Sequence, residues 1–249
     1  MGDHRRFFIA PELIDGDTVK LDDATARQIT KVLRLREGDR ICLLDGRGNL
    51  HDSQLSSTAR NDTTAKILSS SLCQNEPVLD FTLAICLPKG DKLELIVQKC
   101  VELGISRIVV VESERTVSHL DDARASDKMT RWRRIAAEAA EQSGRGIIPE
   151  MSGIIDFADL AAIISETDLA IVAWEEEHQS TLKQILRAQP DAKSALLIIG
   201  PEGGLSESEV ELVKSAGAKS VSLGRRVLRS ETAAIAACAV VMYELEGEL

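Results

Sequence analysis

The feature that most constrains this chain is an alternation that begins after Pro77. Four unbroken apolar runs, FTLAICL (81–87), RIVVVES (107–113), DLAIVAW (168–174) and ALLIIG (195–200), are separated by stretches of helical period. A strand with one wet face alternates apolar and polar residues, so continuous runs belong to strands covered on both faces, as in a parallel sheet. Between them, DKLELIVQKCVELG sets Leu93, Ile96, Val97, Cys100 and Leu103 on one helical stripe, and Gly104 stands where a C-cap glycine belongs. A long helix is predicted over about 126–142, with Trp132, Ile135, Ala136 and Ala139 inward, and a shorter one over 180–188. Ser206-x-x-Glu209 is a capping box opening a helix to about Ala216. KSVSL is the last strand and TAAIAACAVVMYEL the last helix. The pattern predicts an α/β domain, and such sheets bind ligands at the carboxyl ends of their strands.

The first 73 residues are written differently. RRFFIA reads as a strand, and a short helix is expected from about Ala24 to Val32, followed by a turn at Glu37-Gly38-Asp39. RICLLDG and NLHDSQLSS pair across Asp45-Gly46-Arg47-Gly48-Asn49, a strong hairpin signal, and TAKILSSSL adds another strand. The change of style falls at Gln74–Pro77, which divides the chain into a small β module, 1–73, and the α/β domain, 76–249.

The net charge of −10 discourages a nucleic-acid reading until it is divided. Residues 1–75 carry 11 Lys/Arg against 11 Asp/Glu, and residues 76–249 carry 19 against 29, so the whole excess of acid lies in the second part. Binding depends on local patches. Arg5 and Arg6, with Arg27, Lys31, Arg34 and Arg36, are such candidates, against the plainer reading of solvated surface charges. Cys42, Cys73, Cys86, Cys100 and Cys238 form no C-x-x-C pair and read as ordinary buried thiols rather than a disulfide or zinc framework. His4, His51, His119 and His178 are too scattered to predict a metal site. No run suits a bilayer span and no signal-peptide pattern opens the chain, so a cytoplasmic protein without membrane or metal is expected.

Three strand ends gather in the last third: Ala173-Trp174-Glu175, Gly200-Pro201-Glu202-Gly203-Gly204 and Leu223-Gly224. If their strands are neighbours, these loops form one cleft. GPEGG lets backbone approach a ligand closely, although a tight strand-to-helix turn accounts for it equally well. LGRRVLRSETA offers backbone amides flanked by apolar side chains, which suits a flat purine, or else simply joins the core. Neither a G-x-G-x-x-G fingerprint nor a P-loop is present.

RRFFI, KVLRLREGD, LPKGDKLELIVQKCVELGISRIVVVESERTV, RWRRIAAEAAEQSGR, LLIIGPEGGLSESEVE and LGRRVLRSETA occur in an order that covers nearly the whole chain. In these segments the chain resembles the RsmE family of bacterial 16S ribosomal RNA uridine-N3 methyltransferases, of the SPOUT class. The resemblance implies a PUA-like RNA-binding β-barrel followed by a SPOUT methyltransferase domain with a trefoil knot. It also implies S-adenosylmethionine as cofactor, 16S rRNA or the small ribosomal subunit as partner, and a homodimer formed through the C-terminal domain. The family's cofactor segments map onto Ile199, Gly200, Glu202, Gly203, Leu223, Gly224, Val227, Leu228, Arg229 and Thr232, with Ala173 and Trp174 on the third loop.

On that reading, the uridine N3 proton must be removed or the developing anion stabilised. Arg229 is the candidate for anion stabilisation or substrate orientation, unless it is merely paired with Glu231 or Glu202. Glu202 is the candidate base, or a carboxylate that holds its own turn. Arg5, Arg6 and the 27–36 cluster are assigned to the RNA backbone, with Arg131, Arg133, Arg134 and Arg145 as further contacts. Two other classes compete: an enzyme using NAD or another nucleotide in the same cleft, and a non-catalytic RNA-binding protein.

Overall fold

A computed structural model describes residues 5–59, 62–116 and 121–246; His4 and His119 lie outside these. The chain resolves into two units. One takes residues up to Glu76 together with Ala140–Ile148, and the other takes Pro77–Ala139 with the chain from Pro149 onward.

The first unit is built on one six-stranded sheet: β1 (Arg6–Phe8), β2 (Ile14–Asp15), β3 (Thr18–Lys20), β4 (Arg40–Leu44), β5 (Asn49–Ala59) and β6 (Asp62–Leu72), in the order β1-β4-β5-β6-β3-β2. Only β1–β4 is parallel. The hairpin expected at 45–49 joins β4 to β5, with Leu44 opposite Leu50. Gly46 and Gly48 have φ of 70° and 93°, a backbone that side chains disfavour. Asp45 accepts hydrogen bonds from the amides of Arg47 (2.8 Å) and Asn49 (3.0 Å) and from the Asn49 side chain (2.6 Å). Burial alone would raise the Asp45 carboxyl, but these bonds together hold it below the usual range.

The expected helix at 24–32 is present but not uniform. Asp22 caps α1 (Asp23–Arg27) through the Thr25 amide, and the chain then widens into a π-helical turn, Gln28–Val32, closed by the Leu33 amide on the Gln28 carbonyl (2.9 Å). Arg34 follows at φ 55°. Phe7, Ile9, Val19, Ile29, Ile41, Leu43, Leu55 and Ala65 form the core of this unit. Ala140–Ile148 belongs to it because the Glu76 carboxylate accepts from the amides of Gly146 (2.6 Å) and Ile147 (3.0 Å) and from Arg145 (2.9 Å).

The second unit is the predicted α/β domain. Its strands are β7 (Asp80–Cys86), β8 (Arg107–Glu112), β9 (Glu150–Asp156), β10 (Leu169–Ala173), β11 (Ser194–Ile199) and β12 (Lys219–Val221). All pairings in the order β12-β10-β11-β7-β8-β9 are parallel. The four apolar runs of the sequence supply β7, β8, β10 and β11, which are buried along nearly their whole length. Edge strand β9 has no clear sequence signal: it is half polar, contains Gly153, and its register slips opposite Val109/Val110. The helices are α2 (Lys92–Glu102), α3 (Asp122–Ser143, whose end passes into the first unit), α4 (Leu160–Ser165), α5 (Leu182–Ala188), α6 (Glu207–Ser215) and α7 (Ser230–Leu245). Leu93, Ile96, Val97 and Cys100 of α2 are buried as the stripe predicts.

No helix of the described residues is long and apolar enough to cross a membrane. None of the five cysteines is disulfide-bonded; Cys86, Cys100 and Cys238 are buried and Cys42 and Cys73 half-buried.

Candidate active site

Strands β12, β10 and β11 are adjacent and parallel, so their carboxyl ends emerge side by side. The three loops singled out in the sequence enclose a single cavity of about 390 Å³, within the size range of small-molecule sites.

The loop after β10 is stitched to the end of β12. The Trp174 amide donates to the Val221 carbonyl (3.1 Å) and the Ser222 amide to the Ser180 carbonyl (2.8 Å). Glu177 fixes the return of this loop, accepting from the Ser220 hydroxyl and from the amides of Gln179 (2.7 Å) and Ser180 (3.1 Å). The Ser220 bond first, with the amides, holds its carboxyl below the usual range. The Trp174 indole N–H is buried and makes no hydrogen bond within the described residues.

The loop after β11 is shaped by packing. A Cβ on Gly200 would lie 2.9 Å from Cγ of the buried Leu205, so only glycine fits there. Gly204 has φ 71° and lies against the Glu175 carboxylate. Ser206 and Glu209 then form the predicted capping box of α6, each accepting the other's backbone N–H. Glu209, itself buried, also accepts the Glu114 amide (2.8 Å) beyond β8.

Glu202 points at Lys92. Its carboxylate accepts from Lys92 Nζ (2.7 Å) and from the Lys89 amide (3.2 Å). Lys92 also faces Glu231 at 3.5 Å, so one ammonium joins the start of α2, the GPEGG loop and the start of α7. Burial tends to raise the Glu202 carboxyl, yet the Lys92 bond, the amides and the Lys92 charge outweigh it and leave it below the ordinary value. Glu231 is lowered by its own amide first and then by Lys92. The Lys92 ammonium is raised, chiefly by its bond to Glu202.

The third segment, after β12, has little structure of its own. The backbone N–H groups of Leu223 and Arg225–Leu228 have no partner among the described residues, and Gly224 sits at φ 121° with open space where a Cβ would be. These unpartnered donors belong to residues that line the cavity, so they are available to a ligand or to water.

Of the residues expected to bind cofactor, Ala173, Trp174, Ile199, Gly200 and Glu202 line this cavity, as do Leu223, Gly224, Val227, Leu228 and Arg229. Gly203 and Thr232 do not. Gly203 turns its carbonyl to Arg115 (3.0 Å), and Thr232 is exposed on α7. Glu175, Pro201, Gly204, Arg225, Arg226, Ser230 and Ala233 also line the cavity, within the loops the sequence singled out but without a role assigned to them, and so do Ser222 and His178, which it did not place there. Most adjoin residues it named, so continuity of the loops was the available signal. Arg229 is exposed at the N-cap of α7 and has no ion pair among the described residues; Glu231 and Glu202, its expected alternatives, are engaged by Lys92.

Among the basic candidates, Arg5, Arg27, Lys31, Arg34 and Arg36 are exposed and unpaired among the described residues. Arg6 is half-buried in β1, its guanidinium so close to Gly144 that a Cβ there would fall 1.8 Å from it. The expectation for Arg145 is corrected: it is 4 % exposed and paired with Glu76, because a guanidinium in that interior needs a carboxylate. Arg131 is held by Glu94 (2.8 Å).

The family described as RNA methyltransferase domain matches residues 74–242, and the RNA methyltransferase PUA domain matches 21–68. Ribosomal RNA small subunit methyltransferase E of Bacillus subtilis is 33 % identical, with 97 % of each chain covered. The chain belongs to the ribosomal RNA small subunit methyltransferase E family. The Synechocystis member is 36 % identical over 97 % of this chain and 78 % of its own. The crystal structure of the Neisseria gonorrhoeae member, bound to S-adenosyl methionine, is 34 % identical, covers 96 % of this chain and 97 % of its own, and superposes with a TM-score of 0.86. A putative methyltransferase of Legionella pneumophila, in complex with the same cofactor, reaches 0.87 at 28 % identity over 97 % of this chain and 98 % of its own. The chain is thus an RNA methyltransferase with a parallel-sheet α/β domain and a PUA domain.

Proposed function

We propose that this enzyme transfers a methyl group from S-adenosylmethionine to N3 of one uridine in 16S rRNA, acting in the cytoplasm on free rRNA or the small ribosomal subunit. The observation that carries the cofactor assignment is the cavity at three adjacent strand ends, lined by residues with unpartnered backbone donors and by apolar side chains. That lining suits an adenine edge and faces. S-adenosylmethionine supplies an electrophilic methyl on its sulfonium. The protein's task is to align the uridine nitrogen with that methyl and exclude water; ideal alignment contributes on the order of 7–11 kcal/mol.

Arg229, unpaired on the cavity wall, stabilises the uridine anion or orients the base. Glu202 serves mainly as the anchor of the GPEGG loop through Lys92 and Lys89, and a carboxylate so engaged and so lowered is a weak base. Residues 1–73 act as a PUA-like β-barrel that holds RNA through Arg5, Arg6 and the exposed 27–36 cluster, while 76–249 form the SPOUT domain. The π-helical turn and the left-handed Arg34 give that cluster a shape of its own. The family resemblance supports a trefoil knot in the C-terminal domain.

A homodimer through the C-terminal domain is supported by α7, which is apolar on its outer face too. Ala236, Val240 and Tyr243 are exposed there, Val240 at 44 % and Tyr243 at 71 %.

The test is methylation of small subunits from a deletion strain by the purified full chain and S-adenosylmethionine, with mass-spectrometric mapping. A single new N3-methyluridine in 16S rRNA is expected. No methyl gain, together with no calorimetric heat on adding S-adenosylmethionine, refutes the reading.

A further inference from the structure

We propose that Arg225 and Arg226 grip the backbone phosphates flanking the target uridine; this rests on the RNA methyltransfer proposed above. Residues 76–249 hold 29 acidic against 19 basic residues, so this part of the chain repels a polyanion at long range. RNA must nevertheless bring a base to the cavity, and that requires a local reversal of sign. The segment from Arg225 to Arg229 supplies it: three arginines in five residues, all exposed, all lining the cavity, and none in an ion pair among the described residues. Of the two carboxylates on the cavity wall, Glu202 is engaged by Lys92, while Glu175 lies against Gly204 with no ion pair among the described residues, so three arginines face one free carboxylate and the local sign remains positive.

The geometry of a base entering such a cavity places its phosphates at the rim. A uridine must leave its stack to be methylated at N3, and its sugar–phosphate backbone then stays outside. Guanidinium binds phosphate through paired N–H donors at fixed charge. The rival ligand is the cofactor's carboxylate. One carboxylate takes one such fork, and the segment carries three. Gly224, at φ 121° and held at both its N–H and its carbonyl by the Ser222 hydroxyl (3.3 Å each), turns the chain at the strand end just before the arginines.

The test compares the full-length enzyme with Arg225→Gln/Arg226→Gln and Arg225→Lys/Arg226→Lys, on small subunits lacking the modification, with KCl varied at constant magnesium. Calorimetry with S-adenosylmethionine alone runs in parallel. For the glutamine pair, KM for the subunit should rise by about tenfold per arginine, the scale of a lost charged hydrogen bond. The slope of log affinity against log salt should fall by about 1.4, at about 0.7 per phosphate contact. The lysine pair should recover the slope, and S-adenosylmethionine affinity should stay within twofold. An unchanged salt slope in the glutamine pair overturns the proposal, and so does a loss confined to S-adenosylmethionine affinity, which would assign the arginines to the cofactor. If the unsubstituted enzyme neither binds S-adenosylmethionine nor methylates, both the activity and this inference fall, a result visible before any variant is made.

Discussion

Replacing Glu209 by alanine tests how the cofactor loop is held. Glu209 is only 8 % exposed, and its carboxylate accepts the Glu114 amide at 2.8 Å, the Ser206 amide at 2.9 Å and the Ser206 hydroxyl at 3.2 Å. Alanine leaves the buried Ser206 amide without its partner, at about 1–3 kcal/mol, and frees the Glu114 amide, which belongs to an exposed residue and costs less, about 0.5–1 kcal/mol. It also removes a negative charge from the first turn of α6, worth about 0.3–1 kcal/mol. The sum is about 3 kcal/mol, which lowers Tm by roughly 6–12 °C for a chain of this size. Ser206→Ala leaves the Glu209 carboxylate on both amides and should cost only about 1 kcal/mol. Circular dichroism at pH 7, by heating and by urea, measures both. A Glu209→Ala variant within 1 kcal/mol of the parent would refute the reasoning, because the capping box would then be ornamental and the GPEGG loop held elsewhere.

Other consequences follow from the same contacts. Lys92→Met should weaken S-adenosylmethionine binding severalfold by freeing Glu202 and Glu231, as read by calorimetry. In the parent, the carboxyls of Glu202 and Glu231 are lowered from 4.5, so their contribution is present above that pH and lost as pH falls through the depressed folded values. The Lys92 ammonium is raised from 10.5, so its share is complete below that pH and lost as pH rises through the elevated value. Binding should therefore show no titration of this triad between about pH 5 and 10, and a step inside that window counts against it. Gly200→Ala should cost about 1–3 kcal/mol by overpacking Leu205. Gly224→Ala, with open space around it, should cost about 1–2 kcal/mol through its φ alone, and equal loss in cofactor affinity for the two would argue against this division. A thiol reagent under native conditions should modify at most Cys42 and Cys73; burial pushes Cys86 up to about 12, and labelling of Cys86 or Cys238 before unfolding would contradict the packing. Tyr243→Glu should shift the oligomeric state towards monomer in light scattering if α7 joins two copies.

Much of the α/β domain was legible because its signals are local. Buried strands such as Leu169–Ala173 and Ser194–Ile199 announce themselves as apolar runs, and Ser206 and Glu209 meet within one helical turn. Edge strand β9 was not legible, since a strand buried on one side, with a register slip, carries a diluted pattern. The widened turn at Gln28–Val32 also escaped, because α- and π-helical turns draw on the same residues.

The amino-acid order alone determined the fold class, the carboxyl-end loops and the residues able to lend their backbone to a ligand, because periodicity, glycine placement and capping act over a few residues. Only the tertiary structure decided that β12, β10 and β11 are neighbours, that Lys92 reaches across to Glu202 and Glu231, and that Glu76 recruits residues 145–147 into the first unit. Each of those joins positions separated by tens of residues, where burial and the pairing of charges choose the partner.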